Sequence, residues 1–530
     1  MYRTRQIRIR KGHKLWEYGR ELCERSALLY NRANFLMRQY ATAVRALEEM
    51  KPLRENQMQV YLLVRKVTRF SRYEPKGAWL TYEQLDHVLK MTDDEAYRSL
   101  PAQANQQILR RLLRDYNSFF KAQKKYQQHP EQFTGRPKLP GYRKKGSLAT
   151  AVLTNQICRI REGRYLKFPG TKDRLDIGKP VHYDHLPGGK GIWSVSLKEV
   201  RIKPGAGDLV VEVVLECRME GMEGTETAGG MPVRETGVRG AGLTGLSQEE
   251  LRQRLGESRG QGEGFRAAAI DPGVDNLCAV TNNFGAKPFL IKGGVVKSEN
   301  RYYNKKLAEL KAQAMRCNKK HSTGRIGRLT ARRNRIIKDL MHKASRKVAD
   351  WAEENKADVV ILGHNIFQKQ KISTGHVNNQ TFVQIPHSVF AGMLRYKLEE
   401  KGIAMLETEE SYTSKADFLA GDKMPVYGKE KGQKKEKEKK GERQSTPVTF
   451  SGKRVRRGLY RHADGTGSNA DINGAANILR KVFPNVTEWD RGVVDTPYVV
   501  RIVKGIRART GTRKRASIET PSDEVGWGSS

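Results

Sequence analysis

The sequence predicts a multidomain α/β protein, and three observations carry that reading. The chain has 530 residues, which at roughly 150 per domain makes about three or four structural units. Its hydrophobic period changes along the chain, from 3.6 in the first quarter to 2 in the middle, then alternates between strand-like and helix-like runs. Its 99 Lys and Arg stand against 58 Asp and Glu, a formal net charge of +41. Such an excess belongs with a polyanion, of which nucleic acid is the commonest, and it argues against an ordinary metabolic enzyme. The apolar share of 37% is low but still allows cores of normal size.

The elements follow in order. YRTRQIRIR (residues 2–10) alternates and reads as a strand. From Trp16 to about Met50 the spacing of Leu22, Leu28, Leu29, Phe35 and Leu36 predicts a helix. A second helix runs from Gln103 to about Tyr126 on Ile108, Leu112, Leu113, Tyr116, Phe119 and Phe120. Its cations, among them Arg110, Arg111 and Arg114, read equally as a solvated face or as a phosphate-contacting one. Gly and Pro stop the helices at FTGRPKLPGYRKKG (Phe133–Gly146). There Arg136, Lys138, Arg143, Lys144 and Lys145 lie beside Tyr142, cations next to an aromatic ring, the composition of a nucleic-acid surface. The runs YLKF, IWSVSL, EVRIKP and DLVVEVVLE then predict strands, read together with the N-terminal strand as a small β-barrel.

Residues 218–264 are rich in Gly and poor in large apolar side chains, so they read as a flexible insert with a short helix around Gln248–Leu255. GKEKGQKKEKEKKGER (428–443) reads as a second, charged low-complexity stretch. No apolar run approaches the ~18 residues that a membrane helix needs, and no apolar segment follows the basic N-terminus, so neither a span nor a signal peptide is expected. Cys23, Cys158, Cys217, Cys278 and Cys317 are far apart, which predicts neither a disulfide framework nor a cysteine zinc site and suits a reducing cytoplasm.

The chemistry lies further on. RAAAIDPGVDNLCAV places Asp271 at the end of an apolar strand, before a Pro-Gly turn and a second strand. DVVILGHN (Asp358–Asn365) is a buried strand, and GIAMLETEESYTSK (Gly402–Lys415) is another. In NADINGAANILRK (Asn469–Lys481), Ile472, Ala475, Ala476 and Leu479 form the apolar face of a helix, with Asp471 in its first turn. A strand carboxylate, a later strand carboxylate and a helix carboxylate make the RNase H-like nuclease arrangement. Three such oxygen donors can hold two hard cations about 3.5–4 Å apart, which clamp the attacking water and the leaving oxygen. Without metal the same carboxylates repel one another.

Together with LYNRANFLMRQY (Leu29–Tyr40), LPAQANQQILRRL (Leu100–Leu112), NNQTFVQIP (Asn378–Pro386) and FSGKRVRRGLYR (Phe450–Arg461), these motifs resemble the TnpB (OrfB) family of insertion-sequence proteins, relatives of the compact type V CRISPR effectors. The resemblance covers most of residues 1–487 outside the Gly-rich insert. It implies an RNA-guided DNA endonuclease of a transposable element, with a guide RNA and target double-stranded DNA as partners. It also implies a RuvC-type site holding two Mg²⁺ (or Mn²⁺) ions, with Asp271, a glutamate and Asp471 as catalytic residues and metal ligands. The chain is expected in the cytoplasm of a prokaryote, associated with the nucleoid when on DNA.

Two departures stand out. The family pattern puts the catalytic Glu directly after the strand Val359–Leu362, where this chain has Gly363. A subgroup carries the Glu on the next strand, before the Y-T-S motif; here that is Glu410, with Glu409 beside it. Adjacent strands are about 4.8 Å apart, so a side chain reaches across. Alternation points the two glutamates to opposite faces, so one serves, and its offset from Thr413 favours Glu410. The family also carries two C-x-x-C pairs between Y-T-S and the last Asp. This interval has no cysteine, and His364, His376 and His387 are scattered, so no zinc is expected.

The stretch Asn304–Asn355 is helical and basic, with Arg325, Arg328, Arg332, Arg333 and Arg335 as a cationic patch for nucleic acid, joined by Lys453 and Arg454 of the later motif. The expected organisation is a β-barrel wedge (1–10 and 133–217), a helical recognition domain (11–132), the Gly-rich insert (218–264), a RuvC-like nuclease (265–415 and 450–487), a charged insert (416–449) and a basic tail (488–530). Two other functions fit the same sequence: a guided DNA binder with an inactive nuclease, which Gly363 favours, and an RNA-binding protein of the mobile element without a DNA target.

Overall fold

The computed structural model describes residues 2–178, 193–219, 243–257, 265–319, 321–363, 384–425, 449–484 and 496–503. The chain divides into two compact units, Met1–His185 with Lys190–Gly224, and Leu186–Gly189 with Thr225–Ser530. Among the described residues no helix is long and apolar enough to cross a membrane, and all five cysteines are free, four of them buried.

The first unit contains β1 (Tyr2–Arg10), α1 (Trp16–Glu48), α2 (Glu55–Thr68), α3 (Tyr82–Met91), α4 (Glu95–Arg98) and α5 (Ala102–Gln128). It continues with β2 (Ala151–Thr154), β3 (Arg159–Arg161), β4 (Tyr165–Lys167), β5 (Arg174–Asp176), β6 (Trp193–Pro204) and β7 (Asp208–Met219). The β-rich segment forms two antiparallel sheets, β1-β7-β6-β2 and β3-β4-β5. β1 pairs with β7 along its whole length, from Tyr2 opposite Glu216 to Arg10 opposite Asp208. Helices and sheets share one core, in which Ile9, Leu22, Leu109, Leu153 and Val211 belong to a single buried cluster. Gly19 lets α1 lie on the sheet, because a Cβ there would stand 2.8 Å from Leu209 Cδ1.

α2 and α3 are additions to the sequence reading. α3 carries a T-x-x-Q capping box, in which Gln84 N donates to Thr81 Oγ1 (3.3 Å) and Thr81 N donates to Gln84 Oε1 (2.8 Å). α2 buries only Val60, Val64 and Thr68, too few positions for a clear periodic signal.

The second unit contains α6 (Gln248–Glu257), β8 (Ala267–Asp271), β9 (Asn276–Asn282), β10 (Phe289–Lys292), α7 (Gly294–Asn318), α8 (Gly324–Glu354) and β11 (Val359–Gly363). After these come α9 (His387–Glu399), β12 (Ala404–Thr408), β13 (Lys453–Arg456), β14 (Leu459–Arg461), β15 (Gly467–Asn469), α10 (Ala470–Val482) and β16 (Tyr498–Val500). Its main sheet has the order β12-β11-β8-β9-β10-β16. β8, β9 and β10 form an antiparallel meander, while β11 and β12 add parallel to β8. The two-residue period sorts the strands between two cores. Ala268, Ile270, Val360, Leu362 and Met405 face the cluster that includes Trp351 of α8 and Phe390 of α9. Ala267, Ala269, Val359, Ile361 and Leu406 face Ile478 and Leu479 of α10. Parallel β8, β11 and β12 therefore end at the same edge of the sheet, under α10.

One part of the Gly-rich segment packs, contrary to its reading as an insert without a core. Leu243, Leu251 and Leu255 are buried in the α10-side cluster. Gln248 closes the outer edge of β12: its Nε2 donates to Met405 O (2.9 Å) and its Oε1 accepts from Glu407 N (2.7 Å). Leu243 ahead of α6 and Leu251 and Leu255 on it suffice because they join an existing core. Residues 220–242 and 258–264 of that segment, the run 428–443, residues 504–530, His364 and His376 lie outside the described residues.

Candidate active site

β8 delivers Asp271 to the sheet edge, and the small side chains of Ala267 and Ala269 on its α10 face let that helix approach closely. A Cβ on Gly474 of α10 would stand 2.5 Å from Asp271 Oδ2. The carboxylate thus lies against helix backbone, in room that only glycine leaves.

Glu410 follows the end of β12 and reaches across to β11. A Cβ on Gly363 would stand 2.9 Å from both Glu410 Cγ and Oε1, and 2.5 Å from Ile478 Cδ1. The space before Gly363, where a side chain on β11 would go, is filled by the Glu410 side chain. A turn holds it there: Thr413 donates to Glu410 O through N (3.2 Å) and Oγ1 (3.0 Å), with Tyr412 at φ 63°. Asn477 Nδ2 of α10 donates to Thr413 O (3.0 Å), tying that turn to the helix. The offset of the glutamate from Thr413, read from the motif, has this physical basis.

Glu409 is directed elsewhere. It forms an ion pair with Lys481 and accepts from Ser411 N (2.8 Å). Burial works to raise its pKa, but Lys481 and Ser411 outweigh that and hold it below the usual carboxylate value. For Glu410, burial first and the Glu409 charge second push the pKa up to about 7, against the pull of Lys481. Asp271 is raised well above its ordinary value by burial, then by the charges of Glu410 and Asp471, with Arg454 opposing. The asymmetry expected of the neighbouring glutamates is therefore present in their partners.

Asp471 stands in the first turn of α10, whose N-cap Asn469 accepts from Asp471 N (3.0 Å) and Ile472 N (3.3 Å). Its Oδ2 accepts from Asn276 Nδ2 (2.6 Å) and its Oδ1 from Arg454 Nη2 (3.1 Å). Both Asp471 oxygens are thus engaged by donors, and among the described residues no group of three His, Cys, Asp or Glu side chains forms a ready metal cluster. Asn276, 7% exposed, keeps its Oδ1 without a hydrogen-bond partner. Asn276 is absent from the sequence reading; its only signal is its place in the DNL that follows the Asp271 turn. Beside it, Asp275 pairs with Lys297 and with Arg457 of the β13–β14 turn. Raised carboxylates and an oxygen acceptor lacking a donor fit a hard divalent cation, which takes oxygen ligands.

The candidate nucleic-acid residues fall into two groups. Arg325, Arg328, Arg332 and Arg335 are exposed, spaced at three and four along α8 as a stripe, whereas Arg333 turns inward. Arg333 Nε donates to Asn300 Oδ1 (2.8 Å) and Nη2 to Gln384 O (2.7 Å), so its guanidinium is a structural staple. Arg136, Lys138, Tyr142, Lys144 and Lys145 are exposed on a segment pinned to α1, where Asn31 Nδ2 donates to Arg143 O (2.9 Å) and Asn34 Nδ2 to Pro140 O (3.1 Å). Arg143 itself stacks over Tyr30 at 4.5 Å, and Arg38 over Tyr142 at 5.3 Å. Lys453 is exposed on β13. Arg454, expected on nucleic acid, is exposed on the same strand and reaches the carboxylate site through Asp471.

Residues 253–366, which include β8 and β11, match the family model OrfB_IS605, described as a probable transposase. No curated protein matches the chain. Among solved structures, a Cas12f1–sgRNA–target DNA complex aligns with a TM-score of 0.27 and 14% identity, over 90% of this chain and 98% of that one. A CRISPR–Cas12f ternary complex aligns with a TM-score of 0.28 and 13% identity, over 87% and 80%. An AacC2c1–sgRNA–extended non-target DNA complex aligns with a TM-score of 0.33 and 10% identity, over 89% and 70%. All three scores lie below the level that marks a common fold. Over residues 253–366, and in the motifs that surround them, the chain is thus similar to the OrfB transposase family, to which TnpB belongs.

Proposed function

We propose that this protein is an RNA-guided, metal-dependent DNA endonuclease whose nuclease domain is RNase H-like (RuvC-type). The observation that carries the reading is the seat of Glu410 in the space before Gly363, beside Asp271 and under the helix that bears Asp471. The order of the sheet, an antiparallel meander extended by two parallel strands, supports the same domain type.

In this reading Asp271, Glu410 and Asp471 hold two Mg²⁺ or Mn²⁺ ions, with Asn276 Oδ1 as a further oxygen at the rim. Bound divalent ions activate a water and stabilise charge on the leaving oxygen of a phosphodiester. The chain's own residues prepare the site. Gly363 and Gly474 leave room for the carboxylates, and Lys481 keeps Glu409 out of the cluster. Arg454 and Asn276 hold Asp471 on α10. The helical segment 11–132, the β-rich segments 1–10 and 133–217, and the exposed arginines of α8 bind guide RNA and target DNA through backbone and shape, while base pairing reads sequence.

The test is to sequence the RNA that co-purifies with the protein and to challenge the complex with matched duplex DNA in Mg²⁺. Asp271→Ala, Glu410→Ala and Asp471→Ala are expected to abolish cutting while RNA binding survives, and Glu409→Ala to keep cutting. Wild-type cutting by Glu410→Ala removes the assignment of the third ligand. Absence of cutting by the wild-type complex on any target replaces the endonuclease with a guided binder.

A further inference from the structure

The β13–β14–β15 sheet brings two arginines to the carboxylate site, yet it has almost no apolar core of its own. All four residues of β13 are exposed, and β14 and β15 bury one residue each, Tyr460 and Ser468. A three-stranded ribbon of this kind does not hold its place by hydrophobic burial. What it has instead is a polar knot at its base. Asp417 and His462 have side chains with 0% exposure, 45 positions apart in the chain, with Nδ1 and Oδ1 separated by 2.7 Å. The carboxylate accepts, so Nδ1–H donates, and Nε2 meets Ser468 Oγ of β15 at 2.7 Å.

Asp417 collects three more donors, all backbone: Ala463 N on Oδ2 (2.8 Å), and Leu419 N (3.0 Å) and Ala420 N (3.3 Å) on Oδ1. The rings of Phe418 and Tyr460 enclose the imidazole, with centroids 5.1 and 5.2 Å away, and Tyr460 OH donates to Lys415 O (2.7 Å). Asp, His and Ser at these distances imitate a hydrolytic triad, but their burial leaves no path for a substrate, so their work is mechanical.

We infer that Asp417, His462 and Ser468 are positioning residues: a metal-free clamp that fastens the β13–β14 hairpin to the turn after Glu410 and so sets Arg454 on Asp471. Both fastened segments flank the site. The turn at 413–417 is tied to α10 by Asn473 and Asn477, whose Nδ2 groups donate to Ala416 O (3.0 and 2.7 Å). The hairpin places Arg454 Nη2 3.1 Å from Asp471 Oδ1. Among the described residues, these hydrogen bonds and ring contacts close a cysteine-free interval of the chain.

The functional part of the inference rests on the endonuclease reading, so the test has two arms. In the first, hydrogen exchange is followed by mass spectrometry on the full-length protein, comparing wild type with Ser468→Ala and His462→Ala; Ser468→Ala removes a single hydroxyl and covers the case in which His462→Ala does not fold. Amides of 453–461 are expected to exchange roughly tenfold faster, with α10 and β8 unchanged. No change in the hairpin, or an equal loss of protection throughout the second unit, overturns the clamp. This arm holds whether or not the protein cuts DNA.

The second arm measures cleavage in a double-mutant cycle of Ser468→Ala with Arg454→Ala. If the clamp acts through Arg454, Ser468→Ala lowers the rate about ten- to a hundredfold and the double variant falls no further than Arg454→Ala alone. Multiplicative losses overturn the positioning role.

Discussion

Replacing Glu410 by Gln isolates the electrostatics of the site from its shape. The substitution keeps the side chain that fills the space before Gly363 and removes its charge. Glu410 is pushed from 4.5 up to about 7 by burial, with Glu409 adding to the effect. A carboxyl raised in the folded state holds its proton after the unfolded chain has released it. Folding stability therefore falls as pH climbs from about 4.5 toward 7 and is level above that. That displacement corresponds to roughly 3 kcal/mol. In metal-free buffer at pH 8, Glu410→Gln is expected to be more stable than wild type by about that amount, a rise in Tm of about 5–10 °C. At pH 4.5 the two proteins should melt together. Thermal unfolding across this pH range in EDTA measures the difference. Mg²⁺ at pH 8 should raise the wild-type Tm more than that of Glu410→Gln, which should not cleave. A variant no more stable than wild type at pH 8, or equally stabilised at both pH values, refutes the reasoning.

Gly363→Ala should do the reverse, lowering stability by about 1–3 kcal/mol through overpacking against Ile478 and pushing Glu410 off its seat, so cleavage falls while RNA binding holds; thermal melts and a cleavage assay check both parts. The stripe Arg325, Arg328 and Arg332 should act as phosphate contacts, so the triple alanine variant should flatten the slope of log K against log salt by about 2–3 in RNA titrations. Arg333→Ala should leave that slope nearly unchanged and instead cost about 1.5–3 kcal/mol of stability, because its donors bond Asn300 and Gln384.

Much of the architecture was readable from periodicity, because helices and strands impose their repeat on the apolar positions. β1 spans Tyr2–Arg10 as read, and α1 and α5 lie within two residues of the expected bounds. The strands ending at Asp271 and Gly363 are likewise where their apolar runs put them, since a strand buried on both faces leaves a continuous hydrophobic signature. Asp271, Glu410 and Asp471 were identifiable as residues of interest by the elements that carry them and by motif.

Their relation in space was a different matter, because it depends on strand order and on how closely α10 approaches the sheet. Only the tertiary structure assigned Glu410 to the space before Gly363 and Glu409 to Lys481, since side-chain alternation separates the two without saying which face holds the partner. Arg333 and its neighbours are identical in composition, and the rotation of α8 against Asn300 decides which of them turns inward. Asn276 next to Asp471 bridges 195 positions, and Asp417 with His462 bridges 45. Polar pairs of this kind have no period and no composition signature; they form because buried donors and acceptors must find each other once the chain has folded. The leucines of 243–257 follow the same logic, for a segment too poor in apolar residues to make a core gains one by joining the core of its neighbours.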